Sequence, residues 1–149
     1  MLIMKLYATL IILILLSTTA LAQQRTLRLR PGPQACNDAM VWSIYPNTNY
    51  GQNDQATLTA WTYGGMFSLK RFYVKFDLSA IPTIATIDSA FYYFYNNPTS
   101  PSHNGEHSGQ NEFIIQRAAN SWSQNTINFN NQPGGIGQPE IVVPPSTSP

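Results

Sequence analysis

Beyond residue 22, apolar and polar residues alternate with a period of two, and no segment sustains an apolar period of 3.6. Little helix is therefore expected. Leu27 and Leu29 alternate with Arg28 and Arg30, predicting a strand that Pro31-Gly32-Pro33 breaks. A second short strand is predicted over Ala39–Ile44, ended by Tyr45-Pro46-Asn47. A third covers Ala56–Thr62, with Leu58 and Ala60 opposed to Thr57, Thr59 and Trp61. Gly64-Gly65 then reads as a hairpin turn or a loop. The fourth strand is the clearest, because Phe72, Val74 and Phe76 face one way while Arg71, Tyr73 and Lys75 face the other. The first set is expected in the core with Ile127 and Phe129, leaving Tyr73 and Lys75 exposed.

Ile84–Tyr95 predicts a long fifth strand, rich in β-branched and aromatic residues. Asn96–Gln110 is polar and carries glycine, proline and both histidines, as an exposed loop does. Phe113–Ala118 and Thr126–Asn130 predict two further strands, and Ile141-Val142-Val143 begins another before Pro144-Pro145. Several short strands parted by turn residues indicate an all-β sandwich or jelly roll, not a parallel α/β sheet.

The N-terminus departs from this pattern. Lys5 precedes an almost wholly apolar run, Leu6–Leu16, and Ala20-Leu21-Ala22 supplies small residues at the spacing of a cleavage site. Residues 1–22 are expected to be a signal peptide, with the mature chain starting at Gln23. The rival reading, a retained anchor, needs roughly 18 to 20 apolar residues. No Cys follows the small residues, so a lipid anchor is not expected. Residues 23–149 are then one exported domain, free of the membrane once the signal is removed.

Charge narrows the partners. Only 10% of residues are charged and the formal net charge is +1, unlike the clustered basic surface that nucleic acid demands. The lone Cys36 cannot form an intrachain disulfide. A small, buried apolar role suits it better than a nucleophile, because both histidines are distant in sequence.

Candidate chemistry is sparse. Asp77 ends a strand before Leu78-Ser79-Ala80-Ile81-Pro82, where a carboxylate accepts backbone N–H groups of a turn. As a catalytic acid it would need a positioned second carboxylate, and Asp88 lies across the turn. No enzyme constellation appears, and no cofactor is expected. The oxygen-rich stretch around Asn47, Asn49, Asn53 and Asp54 leaves structural calcium open, without the spaced acidic ligands of an EF-hand. His103 and His107 flank Glu106 next to Asn104-Gly105, which argues against a helix presenting both to a metal. Trp122 suits the end of a core, although a sugar-stacking platform uses the same residue type.

The strongest candidate surface is the outward face of the fourth strand. Arg71, Tyr73 and Lys75 emerge about 7 Å apart, and Tyr93 and Tyr95 adjoin if Ala90, Tyr92 and Phe94 face the core. Cations pair with carboxylates while rings take the apolar faces of sugars, so the expected ligand is an acidic polysaccharide. The plainer alternative is a solubilising outer face.

Several islands occur in a fixed order: Asp38-Ala39, Asn49-Tyr50-Gly51, Arg71–Ser79 with Ile81-Pro82, Ser89-Ala90 and Trp122–Pro133. From about Thr26 onward, this order resembles the DNRLRE-type module, a group that includes the family 96 carbohydrate-binding modules. The chain carries Gln124 where many relatives have an acid, and Phe129 where they have a second tryptophan. The resemblance implies an antiparallel jelly-roll β-sandwich. Such modules continue through further strands after the position of Pro133, so a module cut short at its C-terminal end is expected. It also implies a secreted, non-catalytic module that binds polysaccharide. The alternative is a structural or adhesive domain of a secreted or surface protein, with further domains of a longer protein as neighbours. No ligand residue is carried over from the family.

Overall fold

The computed structural model describes residues 24–30, 32, 36–53, 57–93 and 112–145. The chain divides after Arg30. Of the first unit, residues 24–30 are exposed and form no strand, contrary to the alternation at Leu27–Arg30. Alternation prepares two faces, but a strand also needs a second strand to complete its ladder, and no described strand pairs with 24–30. The predicted signal peptide lies outside the described residues.

In the second unit, every regular element among the described residues is a β-strand: β1 (Cys36–Trp42), β2 (Thr59–Tyr63), β3 (Met66–Phe76), β4 (Phe113–Ala118) and β5 (Gly135–Val143). They form two antiparallel sheets, ordered β1-β3-β2 and β4-β5. The fold is thus all-β, with the two antiparallel sheets that a β-sandwich requires. The β2–β3 hairpin closes at Tyr63 and Met66 through Gly64 and Gly65, at φ 58° and 82°. A two-residue turn with both φ positive matches the twist of the strands it joins, and glycine meets that demand without steric cost. β4 pairs with β5 from Phe113–Val143 to Ala118–Gly135, with one irregularity between Gln116 and Arg117.

The register of β1 on β3 decides which face is covered. Ala39 lies opposite Tyr73 and Val41 opposite Arg71, so these four share a face; Met40 opposite Phe72 belongs to the other. Val41 (0% exposed) and Ile127 (2%) form the core with Ala39, and Tyr73, Trp122 and Phe129 pack around it. Burying side chains of this size contributes about 1.5 to 3 kcal/mol each.

Tyr73 therefore faces inward, a correction to the predicted wet face. Lys75 is exposed as predicted, and Ile127 and Phe129 lie at the core. Phe72, Val74 and Phe76 are only half-buried, on the opposite face. Hydrophobicity alone selected the more apolar face of β3. The segment 121–133 covers the other face instead, where the small Ala39 and Val41 leave room for the rings.

Two further predicted strands do not form over their described residues. Over Thr126–Asn130 the chain turns. Asn128 Oδ1 accepts from the backbone N–H groups of Asn130 and Asn131 (both 3.0 Å), and the Asn128 N–H donates to Asn131 Oδ1 (2.7 Å). Asparagine side chains here close local rings that replace a ladder. Over 84–93 no strand forms either, and Ile84 is 93% exposed. Its composition suits a half-buried pleated surface, but no neighbouring strand provides one among the described residues. Phe94, Tyr95 and the 96–110 segment lie outside the described residues.

Candidate functional site

Four of the sequence islands, at Asp38, Asn49, Arg71 and Trp122, meet in space, and their polar groups fasten the loops to the sheet. Asn49 Nδ2 donates to the carbonyls of Gln124 (2.8 Å) and Ile127 (2.6 Å), while Asn49 Oδ1 accepts the Gly51 N–H (3.2 Å). Gln124 completes the clasp: its Oε1 accepts from the Asp38 N–H (3.3 Å), and its Nε2 donates to the Gly51 carbonyl. An acid at 124 could accept from Asp38 but, once ionised, could not donate to Gly51. The departure at Gln124 thus has a structural use. Gly51 is required because a Cβ there would lie 1.9 Å from the Gln124 carbonyl oxygen. Asn130 Nδ2 donates to Asn47 Oδ1 (2.8 Å), a second tie between the same loops.

The predicted cation–tyrosine row is partly enlisted in this fastening. Gln132 Oε1 accepts from Arg71 (3.0 Å) and lies 3.1 Å from the Tyr73 hydroxyl, which is also 2.8 Å from the Pro133 carbonyl. The Arg71 guanidinium lies 5.6 Å from the centre of the Phe129 ring, and Tyr73 meets Trp122 edge-on at 5.8 Å. Burial raises the Tyr73 pKa, opposed by the nearby Arg71. Arg71 keeps an exposed side chain, Lys75 and Tyr93 are exposed, and Tyr95 lies outside the described residues.

The remaining candidates have plain environments. Asp77 Oδ1 accepts the Ser79 N–H at 2.9 Å, and hydrogen bonding from Ser79 lowers the Asp77 pKa, as expected for a turn carboxylate. Cys36 is half-buried; burial first, then Asp38, pushes its pKa up, which disfavours the nucleophilic thiolate. Among the described residues, no three His, Cys, Asp or Glu side chains gather to hold a metal, and no helix is long and apolar enough to cross a membrane. His103, Glu106, His107 and Asp54 lie outside the described residues.

A second cluster, not anticipated from the sequence, occupies the hairpin end of the opposite face. Trp42 and Lys70 are paired across β1 and β3, and Trp61 and Ser68 across β2 and β3. Trp42 Nε1 donates to Ser68 Oγ (2.8 Å), and Lys70 Nζ sits 4.3 Å from the Trp42 ring centre. Tyr45 and Tyr63 each meet Trp42 edge-on, at 5.0 and 5.2 Å. A hydrogen bond with Tyr63 holds the Tyr45 pKa above its usual value, and burial lowers that of Lys70. Trp61, Tyr63 and Tyr45 remain 60%, 48% and 45% exposed. The available signal was Trp61 and Tyr63 in alternate positions before Gly64-Gly65. Their partners Trp42 and Lys70 come from other strands, which only pairing brings near.

A surface with exposed rings, amide-rich ties and few charges suits a neutral or weakly charged hydroxylated ligand. Neither a curated protein nor a solved structure matches the chain. The family model described as carbohydrate-binding module family 96 matches residues 33–142, well over half of the chain and all five strands except the end of β5. The chain therefore belongs to carbohydrate-binding module family 96.

Proposed function

We propose that this chain acts outside the cell as a non-catalytic module that holds an acidic polysaccharide. The family assignment carries the carbohydrate part of this reading. The export part rests on the short apolar run ending in Ala20-Leu21-Ala22. The acidic part rests on Arg71 and Lys75, exposed on one face of β3. These two cations, with Tyr93 and Tyr95 as further contacts, supply a long-range attraction to sugar carboxylates. Tyr73 contributes chiefly by fixing the loop beside them. Affinity electrophoresis in gels containing alginate, pectin or a neutral glucan tests the reading. The wild type should be retarded most by an acidic polymer, and Arg71→Ala/Lys75→Ala less. Equal, unretarded mobility of both proteins in every gel would reject it.

The second reading, a structural or adhesive domain without sugar affinity, draws on Gln132. This residue ties Arg71 and Tyr73 into the fold. An Arg71→Ala/Lys75→Ala variant that melts earlier, with neither it nor the wild type retarded in any gel, would favour it.

A further inference from the structure

We propose that Trp42, Tyr45, Trp61, Tyr63 and Lys70 form a ring-stacking subsite for one pyranose unit of a polysaccharide. It lies on the sheet face opposite Arg71, Tyr73 and Lys75, because the register puts Trp42, Lys70, Ser68 and Trp61 on the face of Met40. This inference rests on the carbohydrate reading and adds a place and a mode of contact.

Three observations carry it. First, the inner part of the cluster, around Trp42, is held in place by contacts within the protein. The Trp42 N–H is satisfied by Ser68, and Tyr45 and Tyr63 brace the indole at an interplanar angle of 80° each. A ligand that stacks here pays little side-chain ordering, which is the general basis of preorganised affinity. Second, Trp61 is 60% exposed, and its indole meets no other ring among the described residues. Its neighbour in the same row, Tyr63, is also exposed and emerges about 7 Å away. Trp61 and Tyr63 thus present an exposed row of rings beside Trp42, which Tyr63 meets edge-on.

Third, the polar groups surround the rings. The Tyr45 and Tyr63 hydroxyls meet at one side, and the Lys70 ammonium stands over Trp42. A pyranose has the matching arrangement, with an apolar face of C–H groups and a rim of hydroxyls. The C–H face carries slight positive charge and is attracted to the negative face of an aromatic ring. An ammonium held by a ring has N–H groups to spare for a hydroxyl or carboxylate oxygen at the rim. Stacking is the dominant contact here, so this subsite depends little on salt, in contrast to the cations of the other face.

Titration calorimetry of the whole chain with alginate and with hydroxyethyl cellulose, at 0.1 and 1 M salt, tests the proposal beside thermal melts. Trp61→Ala should weaken binding roughly tenfold at both salt concentrations, the effect of one lost stacking contact. Its melting temperature should remain that of the wild type, and Trp61→Phe should recover part of the affinity. Arg71→Ala/Lys75→Ala should lose only affinity that 1 M salt already removes. Binding by Trp61→Ala equal to wild type would overturn the subsite and leave the carbohydrate reading standing. A wild type that binds neither polymer would overturn both. A Trp61→Ala variant that loses affinity only in step with its melting temperature would make Trp61 a structural residue and end the proposal.

Discussion

The loop 121–133 and the hairpin end of the first sheet use similar side chains to opposite ends. Both are built from aromatic rings and uncharged polar groups. In the loop these groups are turned inward: Gln124, Asn128, Asn131 and Gln132 all take part in hydrogen bonds within the protein, and Asn49 ties the loop from outside. Its rings, Trp122 and Phe129, pack on Val41 and Ile127. At the hairpin end Trp42 is tied to the Ser68 side chain and Tyr45 to Tyr63, yet Trp61, Tyr63 and Tyr45 stay open to water. Residue type therefore does not separate scaffold from surface in this molecule. The separation lies in whether the rings pack on the core or stay open to water.

The sharpest break of the comparison is Gly51→Ala. A methyl group 1.9 Å from a backbone carbonyl oxygen forces the 124 segment away from the Asn49 turn. A loss of about 3 kcal/mol is expected from urea denaturation, as for overpacked sites. Trp61→Ala should stay within about 0.5 kcal/mol of wild type in the same experiment, because its side chain is exposed. Similar losses for both would erase the distinction between a clasped and an open region.

Gln124→Glu sharpens the same contrast through pH. The ionised side chain cannot donate to the Gly51 carbonyl, so about 1 to 2 kcal/mol should be lost at pH 7. The protonated acid can donate, which raises the folded-state pKa of this glutamate above its unfolded value of about 4.3. The penalty is then absent below the unfolded pKa and grows as pH rises toward the folded one. Denaturation of variant and wild type at pH 4 and pH 7 should show a larger gap at pH 7. A gap independent of pH would mean that the amide donor is unimportant.

The smallest expected effect lies at Asp77, outside both regions. Its pKa is lowered by hydrogen bonds from Ser79, so its contribution is present above the unfolded aspartate pKa and is lost as pH falls through the folded one. A carboxyl NMR titration should place its midpoint below the ordinary aspartate range. A midpoint at or above that range would remove the Ser79 contact from the account.

Signals complete within a few residues match the structure, and signals that need a distant partner do not. Gly64-Gly65 encodes its own turn, and Phe113–Ala118 forms a strand with the predicted bounds. Residues 84–93 have strand composition without a neighbour, so propensity could not make them a strand. Alternation against Phe72, Val74 and Phe76 puts Tyr73 on the wet face, yet Gln132 and Pro133 meet its hydroxyl from 59 and 60 residues away. The same limit hid the aromatic corner, whose rings come from β1, the turn after it and β2. The use of Gln124 in place of an acid likewise depends on distant partners, because its two amide ends bridge Asp38 and Gly51.

The three tryptophans offer the most direct test, because each marks one environment: Trp122 the clasped core, Trp42 the inner part of the aromatic cluster and Trp61 the exposed row beside it. In a nitrogen–proton NMR spectrum their indole N–H groups give three separate signals, assignable by single Trp→Phe substitutions. On titration with alginate or glucan oligosaccharides, the Trp61 signal should move furthest, Trp42 less, and Trp122 least. Displacement concentrated at Trp122, with Trp61 unmoved, would contradict the account and shift the sugar to the clasped side.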